Sequence, residues 1–82
     1  MGSVLEFPGV DAQDAVIGAR LKRWREARGM GIDALAGFMN LNAEDVRRAE
    51  AGRGHLDSAQ IAAATACLRL PVWALVSDRR AY

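Results

Sequence analysis

The sequence predicts an all-α fold of five short helices in one domain. One helix-start signal recurs four times in the 82 residues: an apolar residue, a capping residue, and an apolar or small residue four positions into the helix. Apolar side chains follow these starts at helical spacing, and residues that tolerate a left-handed backbone close the segments. The four starts are Val10-Asp11 with Ala15, Met30-Gly31 with Leu35, Leu41-Asn42 with Val46, and Leu56-Asp57 with Ile61.

Helix 1 is predicted over residues 12–28, with Asp11 as its cap and Gly29 as its end. A glycine inside a helix costs about 1 kcal/mol relative to alanine, so Gly18 is expected to let another helix come close. The predicted buried stripe, at i, i+4 and i+7, consists of Ile17, Leu21 and Trp24.

The next two helices are short and closely spaced. Leu35 and Met39 stand four apart and predict an amphipathic helix that ends at Asn40, a residue that tolerates the left-handed backbone. Asn42 then caps another helix, which Gly52 ends. Two helices joined by a break of about three or four residues with a left-handed position form a helix-turn-helix. The third helix is expected to bury Val46, Ala49 and Glu50 and to expose Glu44, Arg47, Arg48 and Ala51.

Helix 4 begins with a predicted capping box, in which Asp57 is the cap and Gln60 the third helical residue. Its inward face is predicted to hold Ile61, Ala64, Thr65 and Leu68. Pro71 fits the first turn of helix 5, which carries Val72, Trp73, Leu75 and Val76.

The helical domain is predicted over residues 11–77, between an N-terminal arm at 1–10 and a polar C-terminal tail at 78–82. The arm is expected to be mobile or loosely docked. Alternatively, its apolar side chains pack on the body of the domain or on a second subunit. Those side chains are Val4, Leu5 and Phe7.

Charge is distributed unevenly, although the net charge is only +1. Residues 20–28 carry five bases and one acid, and residues 47–53 carry three bases and one acid. Clustered positive charge attracts phosphates more than the net value indicates. The alternative is that both clusters are simply solvated helix faces.

Composition argues against an enzyme, a cofactor site and a membrane protein. His55 and Cys67 are the only histidine and cysteine, and they stand in different elements with no metal-binding or nucleophile spacing. Cys67 is expected to be a packing residue, and His55 a solvated loop residue or a phosphate contact. A signal peptide is not expected, and no apolar run comes near the ~18 residues of a membrane span. A single cysteine fits a reducing cytoplasm.

The chain resembles the lambda-repressor-like, Cro/C1-type (XRE) family of helix-turn-helix regulators over roughly residues 16–76. The resemblance rests on Ile17-Gly18, Arg20-Leu21, Arg25, Gly29-Met30, Leu35-Ala36, Leu41-Asn42, Val46 and Glu50-x-Gly52, with Ile61, Leu68, Leu70 and Leu75 as a weaker continuation. It implies a five-helix lambda-repressor-like DNA-binding domain with the helix-turn-helix at helices 2 and 3. It also implies that Arg25 pairs with Glu50 and joins helix 1 to helix 3; otherwise Glu50 would point to water.

In such domains the third helix enters the major groove. The resemblance then implies that Arg47 and Arg48 bind guanine, that Glu44 accepts from cytosine, and that Ala43 contacts a thymine methyl. Phosphates are expected at Gly31, Ile32 and Arg53, with Arg28 or Arg23 as more distant candidates.

Two features depart from the family pattern. Ile32 stands where the family usually has a polar residue, often glutamine, and its side chain cannot bind a phosphate oxygen. Glu44 and Asp45 place two acids where the recognition helix begins, facing a polyanion. An intrahelical pair with Arg47 or Arg48 is expected to neutralise Glu44 in part.

The resulting hypothesis is a cytoplasmic, nucleoid-associated transcription regulator that binds double-stranded DNA as a homodimer on a palindromic operator, controlled by its concentration, by degradation or by a second regulatory protein. Helix 5 is the expected dimer surface, with Trp73, Val76 and Tyr82 in the contact. Alternatively, Trp73 closes the core over helices 1 and 4. The rival hypothesis is a protein-interaction module on the same fold, such as an antitoxin or co-regulator, with weak or no DNA binding.

Overall fold

Five helices and no strand make up the part of the chain that the computed structural model describes, residues 12–71 and 73–76. The predicted all-α class is therefore confirmed. The helices are α1 (Ala12–Ala27), α2 (Ile32–Met39), α3 (Ala43–Glu50), α4 (Ser58–Leu68) and α5 (Trp73–Val76). The predicted arm and tail, the Asp11 cap, and the residues Val72 and Tyr82 lie outside the described residues.

The turn between α2 and α3 has the local geometry that its sequence predicts. Asn40 follows α2 with a left-handed backbone, at a φ of 61°. The side chain of Asn42 accepts a hydrogen bond from the Asp45 backbone N–H at 2.8 Å and so caps α3. Gly52 follows α3 with a φ of 82°, which glycine adopts without strain. These caps hold the two helices as a helix-turn-helix.

Helix α4 starts with the predicted capping box. Asp57 Oδ1 accepts from the Gln60 backbone N–H at 2.7 Å, and Gln60 Oε1 accepts from the Asp57 backbone N–H at 2.9 Å. The end of α4 differs from the sequence pattern, because Arg69 takes the left-handed cap position at a φ of 61°. A side chain larger than glycine is unfavourable there, so the cap hydrogen bonds must offset the strain.

The core is formed by residues of all five helices and by Leu56 in the link before α4. Its most buried apolar residues are Leu21, Leu35, Val46, Ala64 and Leu75. Trp24, predicted in the buried stripe of α1, is only partly buried at the edge of this core. The alternative in which Trp73 closes the core is wrong, because Trp73 is 65% exposed and Leu75, two residues later, fills that place.

Helices α1 and α3 approach each other through small residues. A Cβ atom added at Gly18 would overlap the backbone carbonyl oxygen of Ala49. One added at Gly52 would lie 3.1 Å from the Cα of Ala15. The absence of side chains at these two glycines therefore sets the distance between α1 and α3, as the sequence predicts for Gly18.

Candidate nucleic-acid interface

A buried ion pair fixes the inner face of α3 to α1. Arg25 Nε donates to Glu50 Oε2 at 2.7 Å, and Arg25 Nη2 donates to Glu50 Oε1 at 3.0 Å. The side chains are only 10% and 6% exposed. Arg25 Nη1 also donates to the Met30 carbonyl oxygen at 2.9 Å, just before α2. The structure thus brings the two residues together as a bidentate fork, and this hydrogen bonding raises the pKa of Arg25.

The outer face of α3 is exposed. Val46 and Ala49 point into the core, whereas Glu44, Arg47 and Arg48 face solvent. Ala43 is half-buried at the first position of the helix. The predicted base-reading residues therefore share one accessible end and side of a helix whose other side is anchored.

Loose ion pairs connect the charged side chains on this outer face. Arg47 Nη1 lies 3.5 Å from Glu44 Oε1, and Arg48 Nη2 lies 3.9 Å from Glu44 Oε2. Arg48 Nη1 is also 3.6 Å from Asp45 Oδ1, a partner that the sequence did not single out. Exposed pairs of this kind contribute only about 0–1 kcal/mol, so each arginine can exchange its carboxylate for another acceptor.

The predicted phosphate sites lie at the start of α2 and in the link after α3. Gly31 caps α2 in an extended conformation, and no side chain accepts from the first N–H groups of that helix. Ile32 does not point freely to solvent, because it packs partly buried against the core. Arg53 is exposed, and its backbone N–H donates to the Arg48 carbonyl oxygen at 2.9 Å.

The other phosphate candidates fare differently. Arg28 has a structural role, because its Nε donates to the Leu68 carbonyl oxygen at 2.8 Å and its guanidinium lies 5.1 Å from the ring centre of Trp24. Arg23 is exposed but lines a groove beside α5, on a different side of α1 from Arg25, so its position does not favour a phosphate contact next to α3.

His55, predicted as a loop residue, is exposed and contacts a side chain of α1. Its Nδ1 lies 2.9 Å from Asp14 Oδ1, which joins the link between α3 and α4 to the first turn of α1. The sequence carried no signal for this contact, because the two residues are 41 apart along the chain.

Metal-ligating side chains do not gather into a cluster in the described part of the chain. No group of three or more metal-ligating side chains forms among residues 12–71 and 73–76. Cys67 is partly buried, its Sγ lies 3.5 Å from Met30 Sδ, and burial raises the pKa of its thiol. That environment suits the predicted packing role. No helix in the described part of the chain is long and apolar enough to cross a membrane.

Residues 16–72, most of the chain, match the family model described as a helix-turn-helix domain. The chain belongs to the helix-turn-helix family. No curated protein is a significant match to its sequence.

Three solved structures share this fold. The clp gene regulator ClgR from Corynebacterium glutamicum has a TM-score of 0.73 and 22% identity, over 76% of this chain and 66% of that chain. The chain thus spans just under two thirds of ClgR. The restriction-modification controller protein C.AhdI from Aeromonas hydrophila has a TM-score of 0.73 and 25% identity, over 79% of this chain and 98% of its own. The hypothetical transcription factor NHTF from Neisseria has a TM-score of 0.73 and 22% identity, over 87% and 82%.

The family match indicates DNA binding, because the helix-turn-helix is a DNA-binding motif.

Proposed function

We propose that this chain is a sequence-specific transcription regulator that inserts α3 into the major groove of its operator. The observation that carries the proposal is the contrast across α3. Its inner face is fixed to α1 through Glu50, and its outer face exposes Arg47 and Arg48 beside labile partners. A rigid helix with adaptable outward arginines suits bidentate recognition of guanine. Glu44 and Ala43 complete the proposed base-reading surface, for cytosine and a thymine methyl.

Backbone phosphates would fix the register of the domain on the duplex. The uncapped N–H groups where α2 begins, at Gly31 and Ile32, are suited to one phosphate. The Ile32 side chain packs on the core, so it would contribute only its backbone there. The exposed Arg53, just past α3, is suited to another phosphate.

We further propose that the regulator acts in the cytoplasm as a homodimer on a palindromic site, with α5 in the contact. Trp73 is 65% exposed, and a large apolar side chain exposed to this extent on a small domain is typical of an interface. Val76 is half-buried beside it, whereas Tyr82 lies outside the described residues. A dimer of this kind presents two recognition helices about 34 Å apart. The spacing between half-sites in recovered operators therefore tests the dimer.

The test begins with recovery of bound genomic fragments from cells, which defines the preferred operator. Arg47→Ala and Arg48→Ala are then each expected to weaken operator binding by about 1–3 kcal/mol, because each removes a base contact. Quantitative gel-shift titrations at one fixed salt concentration provide the measurement. Arg23→Ala, an exposed arginine on α1, is the matched control. Parent-like binding by both α3 variants would disprove the proposed recognition surface.

A second candidate function has some support on the same surface. Glu44 and Asp45 are acidic, and they form ion pairs with the two arginines that are proposed to contact DNA. An interaction module, such as an antitoxin or co-regulator, would bind a partner protein through this surface of mixed charge. A salt titration separates the two functions, since phosphate contacts make DNA affinity fall steeply with salt whereas an interaction module shows little DNA binding even at low salt.

A further inference from the structure

A cleft of about 250 Å³ opens between α1 and the helix-turn-helix, on the side of α3 next to its exposed arginines. Residues of three helices line it: α1 forms one wall, the second turn of α3 the opposite wall, and the start of α2 contributes apolar surface. The lining residues are Lys22, Arg25, Ile32, Arg47, Glu50 and Ala51.

The cleft has an excess of positive charge that its own residues do not neutralise. Three cations and one carboxylate line it. The fork between Arg25 and Glu50 cancels one cation and uses the carboxylate. Lys22 and Arg47 are left on opposite walls, with side chains 55% and 59% exposed. Their remaining partners are distant, since Lys22 Nζ lies 3.9 Å from Glu26 Oε2 on the same helix and Arg47 pairs with Glu44 at 3.5 Å.

We propose that this cleft seats one phosphate of the DNA backbone and that Lys22 is the α1 residue that contacts it. The inference rests on the proposed function, because it needs α3 against the duplex. Lys22 carries an ammonium on a flexible stem, which can leave a weak exposed pair for a phosphate. Ile32 and Ala51 add apolar surface with no competing acceptor. Arg47 lines the cleft and also belongs to the outer face of α3. A DNA strand whose bases meet that face would therefore pass next to the cleft.

The neighbouring cations of α1 do not suit this role. Arg20 and Arg23 line a separate groove with Trp24 and Ala74, beside α5. Arg25 faces the cleft, but its fork is held by Glu50. Lys22 is therefore the α1 cation that combines exposure with the position beside α3.

The experiment compares Lys22→Gln with Arg23→Gln in the full chain. The two residues are adjacent and exposed, and each variant removes one positive charge. The relevant difference is that Lys22 lines the cleft beside α3, whereas Arg23 lines the groove beside α5. Binding to the recovered operator is measured from about 50 to 200 mM salt. Lys22→Gln is expected to reduce the slope of log affinity against log salt by roughly 0.9 per protomer, and Arg23→Gln to keep the parent slope.

A second readout locates the contact on the DNA. Operators carrying one neutral methylphosphonate at successive positions are titrated with each protein. The parent and Arg23→Gln are expected to lose affinity at one position to which Lys22→Gln is indifferent. Circular dichroism checks that both variants remain folded.

The possible results separate the two proposals. A parent slope for Lys22→Gln, or an equal fall for both variants, overturns the Lys22 assignment and leaves the regulator intact. Absence of salt-dependent DNA binding by the parent overturns the proposed function, and the phosphate seat with it.

Discussion

Within α3, the inner and outer faces carry ion pairs of opposite character. On the inner face, Arg25 and Glu50 form a fork at 2.7 and 3.0 Å, with side chains 10% and 6% exposed. On the outer face, Glu44 reaches Arg47 at 3.5 Å and Arg48 at 3.9 Å, with every side chain at least half exposed. Both sets of charges belong to one helix of eight residues.

This difference shows how one helix can be both fixed and adaptable. A buried bidentate fork is directional, and a lost partner leaves a charge without water. The outer pairs are solvated and are exchanged at little cost in free energy. The inner fork therefore defines where α3 lies, whereas the outer pairs leave its arginines available to a ligand. Three substitutions test this contrast.

The largest effect is expected from Glu50→Ala. It leaves the Arg25 guanidinium buried without a carboxylate, which typically costs about 3–5 kcal/mol. Stability of a domain of this size is about 4–12 kcal/mol, so the variant would be close to unfolding. Urea unfolding followed by circular dichroism gives the value. The double variant Arg25→Met/Glu50→Met should recover much of the loss, since no buried charge is then unpaired. A loss below about 1 kcal/mol for Glu50→Ala would mean that the fork is not a structural lock.

An intermediate effect is expected from Gly18→Ala. The new methyl group would overlap the Ala49 carbonyl oxygen, which is backbone and cannot rotate away. Overpacking of this kind costs about 1–3 kcal/mol, and α3 must shift to relieve it. Gly37→Ala is the matched control, because a Cβ there meets nothing within 4 Å. The control should be neutral or stabilising by up to about 1 kcal/mol, since alanine favours a helix. Equal thermal stability of the two variants would refute the close approach of α1 and α3.

The smallest effect on stability is expected from Glu44→Gln. Its pairs with Arg47 and Arg48 are exposed, so the free energy of unfolding should change by less than about 0.5 kcal/mol. Binding to DNA of unrelated sequence should strengthen, because a negative charge leaves the proposed interface and two arginines are released. Fluorescence anisotropy at low salt measures that change. A destabilisation comparable to that of Glu50→Ala would erase the distinction between the two faces.

Local signals in the sequence predicted the helix ends well. Asn42 and Asp57 accept from backbone N–H groups three residues ahead, and Gly52 supplies a left-handed position. Each depends on a few neighbouring residues, so the sequence contains all that is needed. Arg69 shows the limit, because an arginine in a left-handed cap has no local signature.

Contacts between distant segments could not be predicted in the same way. Arg28 reaches the Leu68 carbonyl oxygen across 40 residues, and His55 reaches Asp14 across 41. Such partners depend on how whole helices pack. Lys22 is an intermediate case: it stands three residues before Arg25, so it shares that face of α1. Once Arg25 is placed against α3, the same spacing places Lys22 beside it.

Because α3 is short, its exposed face depends on the rest of the fold. Eight residues rise about 12 Å, little more than two turns, and isolated helices shorter than about 12–15 residues are marginal in water. A synthetic peptide of residues 43–50 would carry the same arginines without their shared direction. Any protease or heat treatment that separates α1 from α3 would therefore abolish the aligned side chains at the same moment as the tertiary fold.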